Sequence, residues 1–156
     1  MDKSVNIVSL VSLIDLLRTN NQKIVFTNGC FDLLHPGHME YLISAKQFGD
    51  VLIVGINSDN SVKALKGDAR PINTITDRIC MLAALESVDF IIEFDEATPL
   101  DLIQTIKPDI LVKGGDYKIS EIVGSDFVFE NGGSVEIIPF KSGYSTSALI
   151  QKIKDL

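Results

Sequence analysis

The stretch Lys23-Ile24-Val25-Phe26-Thr27-Asn28-Gly29-Cys30-Phe31-Asp32-Leu33-Leu34-His35-Pro36-Gly37-His38 decides the fold. Its start, Lys23–Asn28, carries the consecutive apolar residues Ile24, Val25 and Phe26 with no polar alternation. That pattern predicts a strand buried on both faces, as in a parallel sheet. Gly29 ends the run. Pro36 suits the first turn of a following helix, where its missing N–H costs little. A strand passing through a short loop into a helix is the opening unit of a layered α/β fold.

Working outward, Val51–Asn57, Phe90–Phe94, Ile110–Lys113 and Val135–Phe140 predict four more strands. Helical periodicity falls between and after them, over Gly37–Phe48, Thr76–Glu86, Pro99–Ile106, Ser120–Asn131 and Ser145–Leu156. Upstream, Ile7, Leu10, Val11, Ile14 and Leu17 recur at helical spacing and predict an amphipathic helix ending near Asn20-Asn21. The expected architecture is a Rossmann-like, three-layer α/β/α fold with a five-stranded parallel sheet and right-handed crossovers. One domain is expected over residues 1–156, with a helical extension at 1–20 and the core at 23–156. Such sheets take ligands beyond the C-terminal ends of their strands, so residues just after each strand are the candidates.

Bulk properties narrow the function classes. The chain has 156 residues, 46% hydrophobic and 22% charged, as in ordinary soluble domains. No apolar stretch is long enough to span a bilayer. The start, Met1–Asn6, lacks the basic and apolar blocks of a signal peptide, so a cytoplasmic location is expected. A net charge of −7 argues against a nucleic-acid-coating protein. A small phosphate site needs only a few cations and backbone N–H groups. Cys30 and Cys80 lie far apart in no ligand-like spacing, so neither a disulfide nor a CxxC metal site is expected. Cys80, in an apolar helical stretch, is expected in the core.

The loop after the first strand holds both histidines of the chain. His35 stands at the helix entrance and His38 about one turn inside. Both imidazoles can face one ligand beside the unpaired N–H groups and positive dipole of the helix. Gly29 and Gly37 allow phosphate oxygens close to the backbone. The plain alternative is a loop with two surface histidines. Zinc is a lesser option, because no Cys, Asp or Glu cluster completes a ligand set.

Other strand ends add polar groups. Asn57-Ser58-Asp59 leads into a loop carrying Lys63, Lys66 and Arg70, a basic cluster suited to a phosphate or simply solvated. Lys113-Gly114-Gly115-Asp116-Tyr117 offers a cation, open backbone, and a carboxylate that either bonds a sugar hydroxyl or fixes the turn. Gly143-Tyr144-Ser145-Thr146-Ser147 puts three hydroxyls at a helix start. Capping explains one, and the others favour a ligand role.

His35-Pro36-Gly37-His38 matches the HxGH signature of the nucleotidyltransferase superfamily, which includes the cytidylyltransferases. Thr27–His38 resembles the branch containing glycerol-3-phosphate cytidylyltransferases and heptose-phosphate adenylyltransferases. With Asn57–Asp59, Leu65–Asn73, Leu111–Tyr117 and Ser145–Ile150, the chain from about Lys23 onward resembles the bacterial heptose 1-phosphate adenylyltransferase domain. Many relatives fuse that domain to a sugar kinase, and this chain is similar to a stand-alone form. Cytidylyltransferases of the glycerol-phosphate type carry Arg-Thr-Glu-Gly-Ile-Ser-Thr near the end. Here the stretch reads Phe140-Lys141-Ser142-Gly143-Tyr144-Ser145-Thr146. The arginine is absent, with Lys141 as a partial substitute, which favours ATP over CTP.

The resemblance implies transfer of AMP from ATP to a heptose 1-phosphate by direct in-line attack, with Mg²⁺ accompanying the triphosphate and no metal held by side chains. It implies a homodimer, and the charge and hydropathy readings above lead to an expectation of neither nucleic-acid nor membrane partners. His35, His38 and Lys46 are the expected catalytic residues, Lys46 reaching the β- or γ-phosphate from two turns along the helix. Asn28, Gly29, Cys30, Phe31, Gly37, Asp116, Gly143, Ser145, Thr146 and Ser147 are expected around the nucleotide. Asp32, Asn57, Asp59, Lys66, Arg70, Lys113 and Gly114 are expected around the acceptor. Arg78 is a further candidate phosphate ligand. The alternatives are a cytidylyltransferase acting on glycerol 3-phosphate or a related alcohol phosphate, a nucleotide-binding regulator without turnover, and a metal or redox protein using His35, His38 and Cys30.

Overall fold

The computed structural model describes residues 3–139 and 143–156. Lys141, the expected partial substitute for an arginine, and Phe140, the expected end of the last strand, lie outside them. Among the described residues six strands form one sheet: β1 (Ser4–Val5), β2 (Ile24–Gly29), β3 (Val51–Asn57), β4 (Phe90–Phe94), β5 (Ile110–Gly114) and β6 (Ser134–Ile138). Their order is β1-β4-β3-β2-β5-β6 and every neighbouring pair is parallel. The helices are α1 (Ile7–Thr19), α2 (Pro36–Lys46), α3 (Asp59–Lys66), α4 (Ile75–Ala83), α5 (Leu100–Ile106), α6 (Ser125–Glu130) and α7 (Thr146–Lys154).

The sheet is Rossmann-like and parallel as expected, with one strand more than the five foreseen. The extra strand is β1, whose Ser4 and Val5 pair with Ile91 and Ile92. Two residues hold no periodicity to read. Asp59–Lys66 is helix α3, where a loop was expected. Ser58 caps it by accepting from the Ser61 N–H, and its exposed polar residues hide a single apolar anchor, Val62. The helix expected over Ser120–Asn131 splits into a 3-10 turn, Ile119–Glu121, and α6. Gly124 separates them with a φ of 84°, a left-handed value no helix interior accepts. Cys80 is exposed, contrary to expectation, because α4 turns Arg78 and Leu82 inward instead.

Alternation along the strands divides the core between two faces. Ile24, Phe26 and Ile53 face Leu10, Ile14 and Leu17 of α1 and Leu102, Ile103 and Ile106 of α5. Val25, Leu52 and Val54 face Leu42 and Ala45 of α2 and Leu82 of α4. The N-terminal helix is therefore one wall of the main core. The chain steps from β2 to β3 and β4 on one side, then crosses back to β5 and β6 on the other. Strand order thus reverses at β2, and the C-terminal ends of β2 and β5 open the crevice there.

Leu10 is fully buried under the sheet. Leu10→Ala should cost about 2–5 kcal/mol in urea unfolding. A loss well below 1 kcal/mol would show that α1 is an appendage, with the domain holding its stability without it.

Candidate active site

A cleft of about 720 Å³ lies at the C-terminal edge of the sheet. It is bounded by the loop between β2 and α2, the segment after α3, the end of β5 and the start of α7. Of the residues expected at a site, Asn28, Gly29, Cys30, Phe31, Asp32, His35, Gly37, His38, Asn57, Lys66, Arg70, Lys113, Gly114, Ser145, Thr146 and Ser147 line it. Residues more than a hundred positions apart meet here because all strands end on one side.

His35 is the N-cap of α2 in an extended conformation, and Pro36 opens the helix. No side chain caps this end, Pro36 has no N–H, and the His38 N–H donates to the His35 carbonyl at 2.9 Å, so among the described residues the Gly37 N–H is the first-turn donor left for an anion. The imidazoles of His35 and His38 stack, with ring centroids 3.8 Å apart and planes 19° from parallel. Phe31 meets His38 edge-on at 5.4 Å. The Nδ1 atoms of both histidines are buried with no hydrogen-bond partner among the described residues. Burial lowers the pKa of His35. His38 falls further, from 6.5 to about 4, through burial first and its neighbour His35 second, with the Leu33 backbone opposing. Both rings are therefore neutral near pH 7. An anion placed against them would favour their protonated forms.

The two glycines of this loop have a packing role as well. A Cβ on Gly37 would sit 3.1 Å from the His35 ring and 3.2 Å from Tyr144 Cβ. A Cβ on Gly29 would come 3.0 Å from the Phe31 ring. Glycine lets these aromatic rings lie against the backbone.

The start of α7 forms the facing wall. Ser145 caps it by accepting from the Ala148 N–H, and Thr146 Oγ1 donates to the Leu33 carbonyl 3.4 Å away. One hydroxyl thus caps, one ties α7 to the histidine loop, and Ser147 lines the cleft.

The remaining walls carry cations. Lys113 Nζ donates to Asn28 Oδ1 at 2.6 Å, and burial lowers its pKa. Arg70 Nε meets Asp32 Oδ2 at 2.5 Å. Burial alone would raise the Asp32 carboxyl, but hydrogen bonds from the Asn73 and Ile72 amides and from Arg70 outweigh it and hold it low. Burial raises the Cys30 thiol despite nearby Lys66 and Arg78, so the thiol is protonated. Tyr41 shares a 2.6 Å hydrogen bond with Thr27 and donates to the Val112 carbonyl, its phenol pushed up to about 12 by burial.

Four expected site residues are absent from the cleft lining. Lys46 ends α2, about 15 Å from its start at 1.5 Å per residue. It donates to Asp89 Oδ2 at 2.6 Å and to the Asp50 carbonyl, away from the cleft. Asp59 pairs with buried Arg78. Asp116 is exposed in the turn after β5. Gly143 serves a turn, with a φ of 85°. Arg78 itself is fully buried and absent from the cleft lining. Conversely, Ala97, Thr98 and Pro99 line the cleft unforeseen, although the strand-end rule points to them directly after β4. Tyr41, Ile122 and Val123 do so without any charge or motif to mark them, and Tyr117 and Tyr144 lie inside candidate segments without being singled out.

A sequence model of the family described as cytidylyltransferase-like matches residues 26–152. The bifunctional protein HldE of Campylobacter jejuni subsp. jejuni is 57% identical over 155 residues, 99% of this chain and 33% of that protein. HldE of Helicobacter pylori is 55% identical over 148 residues, 95% of this chain and 31% of that protein. The chain thus spans about a third of the length of these curated relatives. The crystal structure of the lipopolysaccharide core biosynthesis protein from Thermoplasma volcanium superposes with a TM-score of 0.63 at 29% identity. That match covers 80% of this chain and 99% of the other.

The lowered His38 pKa has a signed consequence. Between 6.5 and about 4 the unfolded chain takes a proton that the folded one refuses. The contribution is complete above 6.5 and is lost as pH falls toward 4. Urea midpoints should therefore drop from pH 7 to pH 5, and His38→Gln should flatten that slope. An NMR titration placing His38 near 6.5 in the free protein would contradict the assignment.

Proposed function

This chain belongs to the cytidylyltransferase-like family, and from that premise we propose that it transfers AMP from ATP to a heptose 1-phosphate, releasing pyrophosphate and ADP-heptose. The observation that carries the reading is the stacked, neutral pair His35 and His38 at the uncapped start of α2, facing the start of α7 across one cleft. Two helix N-termini and two imidazoles converge where a triphosphate would lie. The Thermoplasma relative is a lipopolysaccharide core biosynthesis protein, which supports a sugar phosphate as acceptor. ATP is preferred over CTP because the arginine of the glycerol-phosphate enzymes is missing. The reading includes a cytoplasmic location and a homodimer, the homodimer supported by Ile7, Val8 and Val11, which stay exposed on the outer side of α1.

In this reading an oxygen of the acceptor phosphate attacks the α-phosphorus of ATP. The bond from that phosphorus to the bridging oxygen breaks, and the electron pair leaves with pyrophosphate. No protein nucleophile takes part, so catalysis is positioning and charge stabilisation. His35 and His38 donate hydrogen bonds to oxygens whose charge grows in the transition state. The Gly37 amide, the unpaired donor at the start of α2, holds a phosphate oxygen. Lys113, Arg70 and Lys66 hold the acceptor phosphate and offset its repulsion from the triphosphate. Mg²⁺ enters with ATP as part of the substrate. The buried carboxylate nearest by, Asp32, already accepts from Ile72, Asn73 and Arg70, so the ion rides on phosphate oxygens.

A panel of ATP and CTP against heptose 1-phosphate and glycerol 3-phosphate, read by pyrophosphate release, tests the assignment. ATP with heptose 1-phosphate should dominate, whereas turnover of CTP with glycerol 3-phosphate alone would replace it. No turnover with any pair, despite ATP binding, would make the protein a nucleotide-binding regulator.

His38→Ala should lower kcat about 100-fold or more, the scale of removing one transition-state donor, with little change in melting temperature. Near-normal turnover would remove His38 from the mechanism.

A further inference from the structure

We propose that Arg78 and Asn73 are positioning residues that turn the Phe31 and Leu33 amides away from the Arg70–Arg78 segment and present the Phe31 amide to the cleft, building a phosphate-binding turn from outside it. The proposal rests on the nucleotide reading above and assigns work to two side chains that need not touch the nucleotide.

The Arg78 side chain is wholly buried, an expensive place for a guanidinium unless its charge is paired and each of its nitrogens has an acceptor. Its Nη1 donates to the Cys30 carbonyl at 2.6 Å, its Nη2 to Asp59 Oδ1 at 2.8 Å, and its Nε to the Asn73 carbonyl at 3.2 Å. The planar fork suits this, since it holds several acceptors in fixed directions. Asn73 repeats the action two residues along the loop, with Nδ2 donating to the Asp32 carbonyl at 2.6 Å. The Asp32 carboxylate accepts in return from the Ile72 and Asn73 N–H groups.

Two carbonyls of the loop, those of Cys30 and Asp32, are thus drawn toward the segment from Arg70 to Arg78. In a trans peptide the N–H points opposite to the C=O. The Phe31 and Leu33 N–H groups must therefore turn away from that segment, and neither donates to a backbone or side-chain acceptor among the described residues. Phe31 between them has a φ of 47°, a left-handed value rare for a bulky residue. Such a conformation persists where its surroundings over-determine it. Amides flanking a left-handed residue form a concavity that fits an anion. Cys30, Phe31 and Asp32 all line the cleft, whereas Arg78 does not. Its charge is met by Asp59, so it works on the phosphate only through the backbone.

The test compares wild type with Arg78→Lys, Asp59→Asn and Asn73→Ala, using inorganic triphosphate and adenosine as calorimetric probes. Lysine keeps the charge but cannot reach three acceptors at once. Each variant should bind triphosphate at least tenfold more weakly while adenosine affinity holds. KM for ATP should rise and KM for the acceptor should not. A merely structural role would lower the active fraction, and so kcat, without moving KM. In wild type the Phe31 and Leu33 amide resonances should shift on adding triphosphate. If Arg78→Lys fails to fold, Asp59→Asn on the partly exposed partner and Asn73→Ala decide. Folded variants that bind triphosphate like wild type would overturn the positioning role alone. A wild-type protein that binds no triphosphate would overturn the nucleotide reading, and this inference with it.

Discussion

An α-helix begins with N–H groups that no carbonyl of its own can satisfy, and of the helices that begin at the strand-end edge of this sheet, α2 and α7 begin on one cleft. The sheet imposes this, because every strand runs the same way and every return helix after a strand must start where the strand ended. The two starts are not equivalent. Ser145 caps α7 from its own side chain, while His35 at the head of α2 forms no capping bond. The fold leaves one helix start without a side-chain cap, its Gly37 amide free among the described residues, and places two imidazoles beside it. The capacity of the cleft for phosphate follows from that arrangement.

Charge plays a smaller part than a triphosphate site suggests. The chain carries a net charge of −7, and two of the three lysine and arginine side chains lining the cleft are already engaged. Arg70 meets Asp32, and Lys113 leans on Asn28. A helix dipole contributes roughly 0.3–1 kcal/mol at an exposed site. A hydrogen bond to a charged group contributes about 1.5–3 kcal/mol. Several directed N–H groups therefore outweigh the dipole, and their direction matters more than the number of positive charges. The neutral histidines fit the same logic. Two stacked imidazoles at 3.8 Å resist charging until an anion faces them.

What the sequence reveals and what it hides divide along a physical line. The strand, loop and helix from Lys23 onward are legible because consecutive apolar residues and Pro36 are local signals. The pairing of His35 with His38 is legible because both lie in one turn. β1 is hidden because two residues hold no period, and α3 because only Val62 and Ser61 of its eight residues are buried. Arg78 looks like a phosphate ligand in sequence, yet which way α4 faces depends on the sheet beneath it. The same rotation leaves Cys80 in solvent. The segment Ala97-Thr98-Pro99 escapes notice because it carries no charge, although its place after β4 is sufficient reason to inspect it. The apolar and aromatic walls need tertiary structure to appear at all.

Lys46 shows what the opposite edge of the sheet does. There the strands begin, and their first N–H groups lack partners within the sheet. Asp50 accepts from the Lys23 N–H, Asp109 from the Ile24 N–H and Asp89 from the Leu52 N–H. Each carboxylate near a strand start thus satisfies an amide of a neighbouring strand, in register with the parallel ladder. Two of them are also met by cations, Asp89 by Lys46 and Asp109 by Arg18. Exposed ion pairs alone contribute little, about 0–1 kcal/mol, but these carboxylates also accept from the backbone. Lysine at the end of α2 therefore belongs to the closed edge, where amides are answered by aspartates. At the other edge the Phe31 and Gly37 amides have no backbone acceptor among the described residues, and an anionic ligand would supply one.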